Sequence, residues 1–203
     1  MTPPLLERKK MNPFVRLLAI ICGVIVIALG LVKMYRGIQE IRGAGGDPQF
    51  KPLLEETDKA VSAANKASQE AQPLFQQFLD DIDKSGLSTV RTQKKDAAQK
   101  LIDLFGEAVE QYQLAAQKSD EAARHSTIEK TKSFLTTKAR AYGLLAQART
   151  INRGIVRLVL DDPATKLEQL LPKLQEAAAR RDTAQKSGVD LDAEAEATAK
   201  KSK

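Results

Sequence analysis

The sequence predicts an all-α protein, with a single N-terminal transmembrane helix followed by an elongated antiparallel four-helix bundle. Three observations carry this. No charged side chain occurs between Leu17 and Val32. From residue 50 onward, apolar residues recur every three to four positions, the spacing of one face of an α-helix. Aromatics make up 4% of the chain and Trp is absent, while Ala, Leu, Lys, Glu and Gln dominate the later part, a composition that favours helices packed through small side chains. The 203 residues divide into a basic segment 1–13, the membrane helix and its extension 14–42, a linker 43–49, the bundle 50–186 and a disordered tail 187–203.

The membrane segment comes first. Phe14 and Val15, a snorkelling Arg16 and the run from Leu17 through Cys22 to Val32 give 19 residues, close to the roughly 20 that span the hydrocarbon. A cleaved signal peptide would use a shorter apolar core before a small-x-small site, which Ala28-Leu29-Gly30 imitates. The apolar phase continues through Met34, Tyr35, Ile38 and Ile41, so an uncleaved anchor is the reading taken. Arg8, Lys9, Lys10 and Arg16 on one flank face Lys33, Arg36 and Arg42 on the other. The slight excess places the N-terminus in the cytoplasm, the span in the plasma (inner) membrane and the bundle outside the cytoplasm.

Net charge is +6, and four of these excess charges precede residue 49. Basic residues beside an apolar span fit contact with lipid headgroups. The helical part has no basic stripe interleaved with aromatics, so nucleic acid is not an expected partner. Cys22, the one cysteine, lies in the apolar segment, which excludes an intramolecular disulfide.

Gly43-Ala44-Gly45-Gly46-Asp47-Pro48 concentrates helix breakers and marks the boundary of the bundle. The first bundle helix, about 50–84, carries an apolar face from Leu53 to Ile82, with Pro73 as a kink site and Ser85-Gly86 as its end. The second starts after Ser88 or Thr89 and runs to about Ala123, with Ala97, Leu101, Phe105, Ala108, Tyr112 and Ala115 inward. Ser126 and Glu129 have capping-box spacing and open the third, whose inner face includes Ile128, Leu135, Ala139, Tyr142, Ile155 and Val159. Asp162 as N-cap and Pro163 at the first position open the fourth, striped by Leu167, Leu170, Leu171 and Leu174, with Pro172 as a second kink site. Helices of about 35 residues span roughly 50 Å. After Ser187 the chain has almost no apolar stripe and is expected to be disordered or frayed.

Few residues suggest chemistry. Asp81, Asp83 and Ser85 before Gly86 imitate the start of a calcium loop, but Thr92 stands where its bidentate glutamate should be and Ser88 where an apolar residue belongs. The expectation is a solvated acidic helix end. His125, the one histidine, shares a helix face with Glu121 but cannot furnish a zinc or di-iron set alone. No Gly-x-Ser-x-Gly turn or phosphate loop occurs. Neither metal nor cofactor is expected. Arg149, Arg153 and Arg157 border the apolar residues Ile151, Ile155 and Val156 as a candidate interaction surface, and Asn152 could fix register in the core. The sequence therefore predicts a non-catalytic scaffold or adaptor acting through helix–helix interactions, its partners being the lipid bilayer and a protein, or itself. The alternative is an extracytoplasmic sensor or carrier of a small ligand or lipid between the helices.

Overall fold

The computed structural model describes residues 47–161 and 167–200. All of them belong to one unit, Ile41–Lys203. Four helices pack against one another: α1 Phe50–Gln93, α2 Lys95–His125, α3 Glu129–Asp161 and α4 Leu167–Lys200. Among the described residues there is no strand, and no helix is long and apolar enough to cross a membrane. The predicted span, with Phe14, Leu17, Cys22 and Val32, lies outside the described residues, as do the glycines of the joint and the cap Asp162-Pro163.

Each helix packs mainly on its neighbours in sequence, and α1 and α4 do not pack on one another to any extent. Asn65 of α1 meets Tyr112 of α2, Gly106 of α2 meets Arg153 of α3, and Lys138 of α3 meets Asp192 of α4, so each successive pair is antiparallel.

The buried positions explain this order. In α1 they include Phe50, Leu54, Thr57, Val61, Ala64, Ser68, Ala71, Phe75, Phe78 and Ile82, which alternate steps of four and three. That is a heptad seam, the pattern that keeps one stripe facing a partner helix. α2 repeats it through Ala98, Leu101, Phe105, Ala108, Tyr112, Ala115, Ser119 and Ala122, and adds Ile102, Gly106 and Val109 on a second side. α3 likewise carries a second stripe, Phe134, Ala141, Ala148 and Ile155, spaced by seven. The two inner helices thus each pack on two neighbours, and the outer helices each mainly on one.

A cluster of large apolar side chains lies at the end holding the α1–α2 turn. Phe75, Phe78, Ile82, Leu87, Val90, Leu101, Phe105, Ile155, Val156, Val159 and Leu170 form one cluster there. Phe75 and Phe105 meet edge to face at 5.3 Å, a geometry that adds to their area burial. Across this end, Arg91 Nε donates to the Val159 carbonyl at 2.7 Å, satisfying an acceptor in the last turn of α3.

Several elements differ from the sequence reading, each for a physical reason. Gly86 takes φ 77° and interrupts α1 where a helix end is expected, but the chain resumes helix beyond it because Leu87 and Val90 can then be buried. The second break falls at Lys94, and α2 begins five or six residues later than expected, with Ala98 rather than Ala97 in the core. Pro73 sits in α1 without a non-helical dihedral. Ser126 closes α2 rather than forming a capping box: its Oγ lies 3.3 Å from Ile128 N, and the side chain of Ile128 is 39% exposed. Leu171 is also exposed.

The largest departure is the tail. Described to Lys200, it continues α4 as helix, with Ala184, Gly188 and Ala195 buried. Its seam uses side chains too small to register as an apolar stripe, yet they allow close helix approach. A Cβ on Gly188 would sit 3.2 Å from the Ala141 carbonyl oxygen and 3.1 Å from the side chain of Leu145.

Candidate functional site

Away from the aromatic cluster, the seams are laced with polar groups. In α1 the heptad run places Thr57 and Ser68 in the core, and Asn65 beside it is half-buried. Thr57 Oγ1 donates back to the Leu53 carbonyl at 2.9 Å, which satisfies it within its own helix. Tyr112, on the inner seam of α2, donates its hydroxyl to Asn65 Oδ1 at 2.7 Å. Arg149 of α3 donates through Nε to Ser68 Oγ at 3.0 Å. Burial holds the Tyr112 hydroxyl above the usual phenol range, opposed by the nearby Arg149 guanidinium. Burial also pulls Arg149 below the usual arginine value, opposed by Tyr112. The four residues tie α1, α2 and α3 into one register.

A second group joins α3 to α4. Lys138 occupies a core position of the α3 seam and is 2% exposed. Its Nζ lies 2.7 Å from Asp192 Oδ1 and 2.7 Å from Glu196 Oε1, two carboxylates one turn apart on α4. The same ammonium stands 5.5 Å from the centre of the Phe134 ring, within cation–π range. One turn further along α3, Tyr142 is buried, and its hydroxyl is pushed well above the usual phenol range, first by burial and then by the charges of Asp192, Asp58 and Glu196. Lys138, Asp192 and Glu196 thus join α3 to α4 as one ion group. A buried ammonium with two carboxylates is costly to assemble and very costly to leave half-paired, so it specifies which surfaces meet.

The residues singled out in the sequence fall elsewhere. Asp81, Asp83 and Ser85 lie on the last turn of α1 before Gly86, where the helix turns Asp83 away from the side shared by Asp81 and Ser85. Asp81 is 3.7 Å from the Lys94 ammonium instead. Among the described residues, no group of three or more His, Cys, Asp and Glu side chains could hold a metal ion. The arginines do not form one surface. Arg149 points inward to Ser68, Arg153 covers the bare backbone of Gly106, and Arg157 alone is exposed. Asn152 is buried in the α3 seam.

His125 reaches back across 78 positions, its Nδ1 2.7 Å from Asp47 Oδ2. The Asp47 carboxyl is held below its ordinary value by the Gln49 backbone N–H and then by His125. A surface depression of about 360 Å³ lies nearby, lined by Asp120, Ala123, Arg124, Lys132 and Thr136. Its mixed charges already pair: Arg124 bonds Asp120, and Lys132 lies 3.8 Å from Glu129.

Among the described residues the buried polar groups pair one helix with another. No family model, curated protein or solved structure matches this chain. Function therefore has to be argued from the residues themselves.

Reasoning on the sequence missed the α3–α4 group, although a signal was there. Lys138 and Tyr142 stand four apart, as do Asp192 and Glu196. Counting heptads back from Leu145 and Tyr142 places Lys138, not Ala139, on the seam.

Proposed function

We propose that this protein is a non-catalytic scaffold, held at a bilayer by the segment Phe14–Val32, that works by offering helix faces to other helices. The observation that carries the reading is the difference between inner and outer helices. α2 and α3 each pack on two neighbours, whereas α1 and α4 each pack mainly on one and do not close the array against each other. Such an arrangement leaves two edge helices, α1 and α4, each with a side that no other helix covers to any extent. Two further features support a binding role. The buried polar groups connect helices to one another rather than to an open cleft. The sequence also supplies an anchor-length apolar segment with basic flanks ahead of the bundle. In this reading the N-terminus lies in the cytoplasm, the helices lie outside it, and the partner is another protein or a second copy.

The test is protease accessibility of a C-terminally tagged full-length chain in intact and permeabilised cells, with the mass of the membrane-bound product and its crosslinked species determined. An intact N-terminus, digestion from outside and crosslinks to a protein partner or second copy are the expected result. A soluble product beginning near Leu31 would remove the anchor. Monomers without crosslinked species at native abundance would remove the scaffold.

A further inference from the structure

α4 is held in two different ways along its length. Its N-terminal half inserts Leu170 into the aromatic cluster, with Leu174 and Ala177 packed against the same cluster. Its C-terminal half presents Ala184, Gly188 and Ala195, which bury little apolar area, and relies on the pairing of Asp192 and Glu196 with Lys138. This half packs on α3, whereas α1, α2 and α3 are cross-linked independently of it by Arg91 to Val159, Tyr112 to Asn65 and Arg149 to Ser68. Segments with few buried apolar contacts open at lower free energy than a core that does not depend on them.

We propose that residues 184–199 are a removable strap, and that the α3 face beneath, built on Lys138, Ala141, Tyr142 and Leu145, is a docking face for an acidic helix from a partner. The partner's chemistry follows from what the strap uses. Small residues at 184 and 188 are followed by carboxylates at 192 and 196, all at steps of four on one helical face. The glycine lets the incoming backbone reach the Ala141 carbonyl, and the two acids neutralise an ammonium that cannot be left alone in the core. While the strap is seated the face is closed, and a partner helix with the same four features competes for it. This deepens the scaffold reading by naming one of its faces, and rests on that reading only for the existence of a partner.

Hydrogen exchange on the full chain reads the strap directly. Amides of 184–199 are expected to exchange about 100-fold faster than those of Leu101–Val109 and Ile155–Val159. A single exchange rate across all four helices would overturn the proposal. The docking face is tested with a fluorescent peptide of residues 182–199 and the variant Gly188→Leu, whose side chain collides with Ala141 and Leu145 and lifts the strap while leaving α3 unchanged. The peptide is expected to bind this variant about tenfold or more tighter than the native chain, and adding Lys138→Met is expected to abolish the gain. Equal binding to native and Gly188→Leu protein, or binding indifferent to Lys138, would refute the docking face. Because neither measurement involves a membrane or a cellular partner, the strap can fail while the scaffold reading survives, and the reverse.

Discussion

Replacing Lys138 by Met keeps most of the aliphatic stem that fills the α3 seam and removes the charge. Asp192 and Glu196 are then left facing a site whose one cation is gone, at 31% and 14% side-chain exposure. Breaking a buried pair by removing one partner costs about 3–5 kcal/mol, because the remaining charge keeps its desolvation penalty and loses its compensation. Because α1, α2 and α3 are cross-linked independently of this half of α4, the cost falls on its own unfolding, and its helix is expected to be lost ahead of the main transition. Extending the change to Lys138→Met with Asp192→Leu and Glu196→Met removes the three charges of the ion pairs. Apolar replacement of a whole buried ion group is neutral or stabilising by about 1–4 kcal/mol. The expected order is therefore triple variant at or above native, with the single variant well below both. Thermal and urea unfolding followed by far-UV circular dichroism measures it, and the single variant should lose helix early by an amount matching the C-terminal half of α4. A single variant within about 1 kcal/mol of native would refute the argument, since it would mean that Lys138 is not a buried charge held by α4.

Other outcomes follow from the same geometry. Gly143→Ala and Gly154→Ala should each stabilise by about 0.5–1 kcal/mol in urea unfolding, because a Cβ at either position meets nothing within 4 Å. Gly86→Ala should instead cost about 1–3 kcal/mol in the same assay, since its φ of 77° strains any side chain even though space is free. Phe105→Ala removes a buried ring packed edge-on against Phe75 and should cost about 3–5 kcal/mol. The Asp47 carboxyl, held low by Gln49 N–H and His125, contributes stability that is present above its unfolded-state value and lost as pH falls through its folded value. Carbon-13 NMR should give Asp47 a lower midpoint than a carboxyl in ordinary solvent. His125→Ala should raise it only partway, because the backbone donor remains.

Much of the architecture was legible because it rests on local signals. The run of Leu, Val, Ala and Phe from residue 53 to Ile82 is long and periodic, and Ser85-Gly86 supplies the left-handed dihedral that interrupts it. The inner faces of α2 and α3 could be read from Leu101, Phe105, Tyr112, Leu135 and Tyr142 for the same reason. Where the sequence reading failed, the deciding groups were individually ambiguous. Ala97 and Ala98 differ by one position, and which one is buried depends on the break at Lys94. Arg149, Arg153 and Arg157 look alike in sequence, and only the positions of Ser68 and Gly106 on other helices separate the two that turn inward from the one that does not.

By itself, then, the sequence determined that the region after residue 50 is helical, that one turn falls near Ser126, and which of many large apolar residues lie inside, because these follow from periodicity and backbone preference over a few residues. It also determined the apolar segment Phe14–Val32 that motivates a membrane role. Only the tertiary structure decided that residues 187–200 belong to the fold, that α1 and α4 do not pack on one another to any extent, and that Lys138 lies in the core between Asp192 and Glu196. The physical reason is distance along the chain. An alanine, a glycine or a lysine carries no fixed preference for the interior, and acquires one only when a surface 54 residues away offers a matching shape or the opposite charge.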